Sequence, residues 1–337
     1  MNIFKKIDLK IKAKSKEEYK QLKQEYKDLS AGYKLLKNEY KTKKREYTHQ
    51  QYIIAQYNKR MDEFVRKSKS IPRPNMDIPQ DRIVNFKHSG KIGDIIYSLP
   101  AIKALCGNSG ASLYLNLDKP VGYPPYMKNS LSVKLNKTVF EMAYPLLMAQ
   151  PEIKNCKIYH DEKIDVDLDL FRELPLDLDK GHISRWHFLL YPGTYPLNEA
   201  WLKVPEVNPV AKNAIVLARS QRYVAPGIDY SFLKKYPEVL FIGLENEYLE
   251  MKQMVPNVIF QPINNFLEMA SVIAGAKLFI GNQSSPFAIA EGLKVNRLLE
   301  VYFECPNVIP EGNNGFEFCF QEQFEKLVKM RYEDNML

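Results

Sequence analysis

Apolar and polar positions between residues 16 and 66 repeat every seven residues. Tyr19, Tyr26, Tyr33, Tyr40 and Tyr47 share one heptad position, and Ile54 and Met61 continue the series. Leu22, Leu29 and Leu36 follow three residues behind, then Lys43, Gln50, Tyr57 and Phe64 in the same register. This is an a/d pattern with two polar d positions in the middle, and it predicts one long helix. From residue 19 to 64 such a helix runs about 70 Å. The stripe predicts self-association through residues 16–66 as a coiled coil; tyrosine at so many core positions also allows a looser bundle or packing onto another part of the protein. Residues 71–80 hold three prolines and read as a stiff linker.

Past residue 80 the pattern changes to short apolar runs alternating with helical periodicity. Ile83 to Phe86 reads as a strand and Lys87 to Gly93 as a polar turn. A helix follows, with Ile95, Leu99, Ile102 and Leu105 on one face. Residues 111–117 alternate as a strand, 138–150 suit a helix, and 163–171 place Asp165, Asp167 and Asp169 on one side of a strand. Further strands are expected at 213–219, 238–243, 257–260, 276–282 and 297–303, and helices at 265–274, after Ser284, and at 321–330. The fold class is α/β. Two α/β domains are expected at 81–205 and 206–320, with a C-terminal helix and tail at 321–337, all preceded by the basic heptad helix of 1–70.

Charge divides along the same boundary. Residues 1–70 carry 20 Lys and Arg against 9 Asp and Glu; the remainder carries 28 against 31. The arm is therefore the basic element, open to contact with an anionic membrane or polymer. There is no apolar run of about 18 residues and no signal-peptide core, so a cytoplasmic protein without a membrane span is expected, able to sit at the inner face of the membrane. Cys106, Cys156, Cys305 and Cys319 lack paired metal spacing and read as reduced thiols.

The chemistry gathers at two strand–turn–helix units. In the first, Gly90 and Gly93 permit a tight turn and Asp94 stands at the helix start, either as a cap or facing a ligand at the sheet edge. In the second, Asn282, Gln283, Ser284 and Ser285 precede Pro286, and the free N–H groups of that helix start form an anion site. Arg219 and Arg222 follow a buried-type strand and suit a diphosphate. Glu245, with Glu247 as its rival, stands where a carboxylate accepts from ribose hydroxyls. The segment 180–188 gathers Arg185, Trp186 and His187, which either contact an acceptor or pack a helix start into the core. The loop 119–130, with Tyr123, Pro124, Pro125 and Tyr126, is another candidate for acceptor contacts. Asp165, Asp167 and Asp169 invite a metal reading, but alternation of this kind also arises from one exposed strand face.

The run Lys91-Ile-Gly-Asp94-Ile-Ile-Tyr-Ser-Leu-Pro-Ala resembles the N-terminal signature of the bacterial heptosyltransferases, GT-B glycosyltransferases of family 9. Residues 267–296 give a second match in order of elements. The resemblance implies a GT-B fold, two Rossmann-like domains facing a cleft with the C-terminal helix crossing back, and an inverting, metal-independent glycosyltransferase, with Asp94 as the base that activates an acceptor hydroxyl. It implies a nucleotide-sugar donor (ADP-, UDP- or GDP-linked), no cofactor, and donor contacts from Arg219, Arg222, Glu245, Asn282, Ser284 and Ser285. Lys91, His88, Arg185 and His187 are expected on the side of the acceptor, a glycan or glycoconjugate. Three departures stand in the donor turn: Gln283 replaces an aspartate, Ser285 a glycine and Ala288 a histidine, while Asn296 takes the place of a common proline. They motivate two other readings: a catalytically inactive scaffold assembled through its arm, and, from the arm's charge, a transferase acting on nucleic acid.

Overall fold

The computed structural model describes residues 3–121 and 133–333. The loop residues Tyr123, Pro124, Pro125 and Tyr126 fall outside them. The chain divides into two units, Met1–Lys69 and Ser70–Leu337.

The first unit is a single helix, α1 (Ile3–Ser68), of 66 residues. The expected stripe lies open on it: Tyr26, Leu29, Tyr33, Leu36, Tyr40 and Tyr47 are each more than 60% exposed. The side chains of Tyr19 and Leu22 lie outside the described residues.

The second unit begins with the extended linker and holds two parallel sheets. Strand β1 (Val84–His88) leads to α2 (Ile92–Cys106), β2 (Ala111–Leu115), α3 (Lys137–Met148), β3 (Ile153–Ile158) and β4 (Val166–Asp167). Their spatial order is β3-β2-β1-β4. β4 is much shorter than the predicted run. Asp165 turns back to accept from Arg82 and from the Asn85 N–H, and the chain enters a 3-10 turn at Leu170–Glu173.

The second sheet follows as β5 (Ile215–Ala218), β6 (Val239–Phe241), α4 (Glu245–Met254), β7 (Ile259–Phe260), α5 (Phe266–Gly275), β8 (Leu278–Asn282), α6 (Ser285–Leu293), β9 (Arg297–Glu300) and β10 (Gly315–Phe318). Its order, β10-β9-β8-β5-β6-β7, is the doubly wound arrangement in which the strand order reverses between the first and fourth strands. All residues of β5 and β8 are buried, as parallel strands covered on both faces require.

The two sheets belong to one compact unit. One hydrophobic core runs from Val84 and Leu113 of the first sheet to Phe279 and Leu299 of the second. The starts of α2 and α6 lie close together. A methyl placed on Gly93 of α2 would lie 3.9 Å from the Ser285 Cα and 4.0 Å from the Ala288 Cβ of α6. At the other end of α6, the Gly292 carbonyl accepts from the N–H groups of both Trp201 and Leu202, each at 3.0 Å. The C-terminal helix α7 (Gln321–Val328) packs on the second sheet. Phe324 stacks on Phe318 with ring centroids 4.0 Å apart, and Leu327 and Val328 join a separate core on the outer face of the second sheet. The hydroxyl of Tyr332 then donates to the Asn213 carbonyl at 2.8 Å.

Candidate active site

In the first sheet β1 has β2 on one side and β4 on the other, so the chain leaves its C-terminal end at a topological switch point. Ligands of open α/β sheets bind in the crevice there. His88 ends the strand fully buried, and its Nδ1 accepts from the Gly90 N–H at 2.8 Å. A Cβ on Gly90 would stand 2.4 Å from the His88 Cε1 and 2.7 Å from the Asp94 Cβ and Oδ2, so only glycine fits. The turn delivers Asp94 to the first turn of α2, where its Oδ2 accepts from the Lys91 N–H at 3.2 Å. The same oxygen accepts from Arg172 Nη2 at 3.0 Å. Asp94 is thus both a helix cap and one half of an ion pair, with its side chain 28% exposed.

Arg172 comes from the 3-10 turn after β4. Its Nε donates to Asp169 Oδ1 at 3.2 Å, and its guanidinium lies 4.7 Å from the centre of the Phe171 ring. The three alternating aspartates are each matched to a cation: Asp165 to Arg82, Asp167 to Lys87 at 2.7 Å, and Asp169 to Arg172. No group of three or more His, Cys, Asp or Glu residues suited to a metal ion occurs among the described residues.

Cations crowd the carboxylates at this end. Burial is the largest influence on Asp169 and works upward, but His88, Arg172 and hydrogen bonds from Ser89 outweigh it and hold the carboxyl below its usual range. Burial pushes the Lys91 ammonium down to about 7, and Arg222 of the second sheet pushes the same way against Asp94. Lys134 is lowered too, by burial and then by Arg172.

The second switch point lies between β5 and β8. Asn282, fully buried at the end of β8, is occupied in holding the loop after β5. Its Oδ1 accepts from the Ser220 N–H at 3.0 Å, and its Nδ2 donates to the carbonyls of Ser220 and Arg222 at 2.8 and 2.7 Å. Gln283 holds the loop after β9, donating to the carbonyl of Cys305 and to Asn307 Oδ1 and accepting from the Tyr302 N–H. Arg219 makes two bonds to the fully buried Glu300, at 2.7 and 2.8 Å. Glu300 also accepts from the Tyr230 hydroxyl and the Ala225 N–H. Ser284 is the N-cap residue of α6 and its hydroxyl donates to the Asn282 carbonyl; Ser285 and Pro286 open the helix.

The expected residues therefore sort into three groups. Lys91, Asp94, Arg222, Ser284 and Ser285 come together where the ends of α2 and α6 meet. His88, Arg219 and Asn282 lie behind that seam as its internal bracing. Arg185, His187 and Glu245 stand apart. Arg185 is 63% exposed and pairs with Glu311 at 2.9 Å. His187 is buried against Phe171, which carries Trp186 stacked at 5.3 Å, so the packing alternative describes this segment. Neither ring nitrogen of His187 has a hydrogen-bond partner among the described residues, and burial pushes it down to about 3. Glu245 is exposed at the start of α4, whereas its rival Glu247 caps that helix by accepting from the Leu244 N–H at 3.2 Å. Sequence reasoning missed Arg172 and Lys134, and met Asp169 only as one of three alternating aspartates. The three-residue spacing of Asp169 and Arg172 was a usable signal; Lys134 had none.

No family model matches the sequence, and no curated relative does. Solved structures are similar to it. The E. coli heptosyltransferase WaaC with ADP is 10% identical and covers 74% of this chain and 99% of its own, with a TM-score of 0.51. A glycosyl transferase family 9 protein from Veillonella parvula is 10% identical over 77% of this chain and 91% of its own, with a TM-score of 0.49. E. coli ADP-heptose lps heptosyltransferase II is 12% identical over 75% of this chain and 99% of its own, with a TM-score of 0.43. The likeness to WaaC gives the body a heptosyltransferase-like glycosyltransferase fold.

Proposed function

We propose that the chain is an inverting glycosyltransferase that moves a sugar from a nucleoside diphosphate to a hydroxyl acceptor without a metal ion. The observation that carries this reading is the seam itself: the Asp94 carboxylate and the start of α6 lie side by side, flanked by Lys91, Arg172 and Arg222. Arg172 and the Lys91 N–H hold Asp94 through Oδ2, which fixes the carboxylate and turns Oδ1 toward an incoming hydroxyl as its base. As the acceptor oxygen bonds to the sugar carbon, the bond to the diphosphate breaks and its charge grows. The N–H groups opening α6, with Arg222 and Lys91, offset that charge. Arg219 acts here as a brace rather than a phosphate ligand. WaaC was solved with ADP, so ADP is the first nucleotide to try.

The test is thermal shift against ADP, UDP and GDP, each without added metal, on the native protein and on Arg222→Ala. Stabilisation by one diphosphate, lost in the variant, is the expected result. Failure of every diphosphate to stabilise a protein that melts cooperatively would sink the transferase reading.

A second reading has one observation in its favour. Ala288, where the resembled family has histidine, is packed against Gly93, and Asn282 and Gln283 are used up internally. A body with a closed donor turn would serve as a scaffold. Under either reading the basic arm is proposed to self-associate along its tyrosine–leucine stripe.

A further inference from the structure

The stripe on α1 fixes which residues flank it. With Tyr19 and its repeats at a, the g positions before the tyrosines read Glu18, Glu25, Gly32, Glu39 and Glu46. The e positions after the d residues read Lys23, Ser30, Lys37, Lys44 and Gln51. One edge of the seam is thus acidic and the other basic. Across a coiled coil these edges decide orientation. In a parallel, in-register pair each g residue faces the e residue five positions later on the other chain. Glu18 then meets Lys23 and Glu39 meets Lys44, each twice by symmetry, and no like-charged pair arises between residues 18 and 51. In an antiparallel pair g faces g and e faces e, which sets the glutamates against glutamates on one side and the lysines against lysines on the other, save where Gly32, Ser30 or Gln51 intervenes.

We infer that α1 pairs with a second copy of itself in parallel and in register, resting on the self-association proposed above. The seam it would bury is open on α1: Tyr33, Leu36 and Tyr40 are 68, 70 and 67% exposed. Lys43, at d, would face its own copy, but its four-carbon stem can cover the seam while the ammonium leaves it toward Glu39 or Glu46. Gln50, the next d residue, can bond to its own copy across the seam, which only an in-register pair allows. Both chains then leave the helix from the same end, so two bodies are tethered together by the 71–80 linkers.

Single cysteines test the orientation on the full chain. Leu29→Cys and Phe64→Cys are made separately in a Cys305→Ser/Cys319→Ser background, which removes the two thiols that are not buried. A parallel, in-register pair places each new cysteine opposite its copy, so both variants should cross-link to a dimer under mild oxidation. An antiparallel pair can bring at most one of the two positions opposite itself. Mass by light scattering on the uncross-linked protein separates the layers of the claim. A monomer overturns self-association altogether. An oligomer in which one or neither position cross-links leaves self-association standing and overturns the parallel register.

Discussion

The turn after β1 and the turn after β8 are built to the same plan and treat their polar groups in opposite ways. At 88–94 one glycine without room for a methyl brings a carboxylate to the helix start, where it meets Arg172, Lys91 and the second sheet. At 282–288 the side chains point back into the protein: Asn282 into the loop after β5, Gln283 into the loop after β9, Ala288 into α2. The first turn presents charge and the second presents backbone. A site of this kind would take its base from one sheet and its anion-binding dipole from the other, with Arg222 supplying the donor side's cation.

That contrast can be broken most sharply at Asp94. Asp94→Asn should lower transfer about 10²–10⁴-fold while Arg172 keeps its bond to Asp169, so the melting temperature should hardly move; steady-state rates and thermal melts check both halves. The arginines of the second turn should separate in the reverse sense. Arg219→Ala strands the fully buried Glu300 and should cost about 3–5 kcal/mol in denaturant unfolding. Arg222→Ala should lower the unliganded melt less than Arg219→Ala does and remove diphosphate binding.

Ala288→His, which restores the residue of the resembled family, should not rescue a donor site. Its ring would press on Gly93 and should destabilise the body by about 1–3 kcal/mol, seen as a lower melting temperature. Acid should act through the buried histidines. His88, His182 and His187 are all lowered, chiefly by burial, so the unfolded chain binds protons that the folded one refuses. Their contribution is intact above about pH 6.5 and is lost as pH falls toward the folded values, at about 1.4 kcal/mol per pH unit for each titrating group. His187→Phe should flatten that slope in melts between pH 7 and 5. The smallest effect should be Gly93→Ala, whose methyl meets α6 at ordinary contact distance and should stay within about 0.5 kcal/mol.

The strands that hold these turns were legible because β5 and β8 are unbroken apolar runs, buried on both faces. The strand β3 was not, since Lys154 and Lys157 interrupt it at spacings that match neither two nor 3.6, and β10 follows a Gly and Asn cluster that reads as loop. Asp94 was found by its place beside a glycine turn. Its partner Arg172 lies 78 residues away, and only β4 pairing with β1 brings it there. His187 was ambiguous because nothing local tells whether Trp186 beside it turns inward; its stacking on Phe171 settles that. Arg219 and Arg222 look alike in sequence, and what separates them is Glu300, a buried carboxylate 81 residues beyond Arg219.

The close fit of α2 on α6 also bears on motion. Opening the two sheets like a hinge would lift Ala288 off Gly93, strip Trp201 and Leu202 from the Gly292 carbonyl and wet an apolar core that now runs unbroken between them. The body should therefore melt in one cooperative step, and a change in either sheet should be felt by the other.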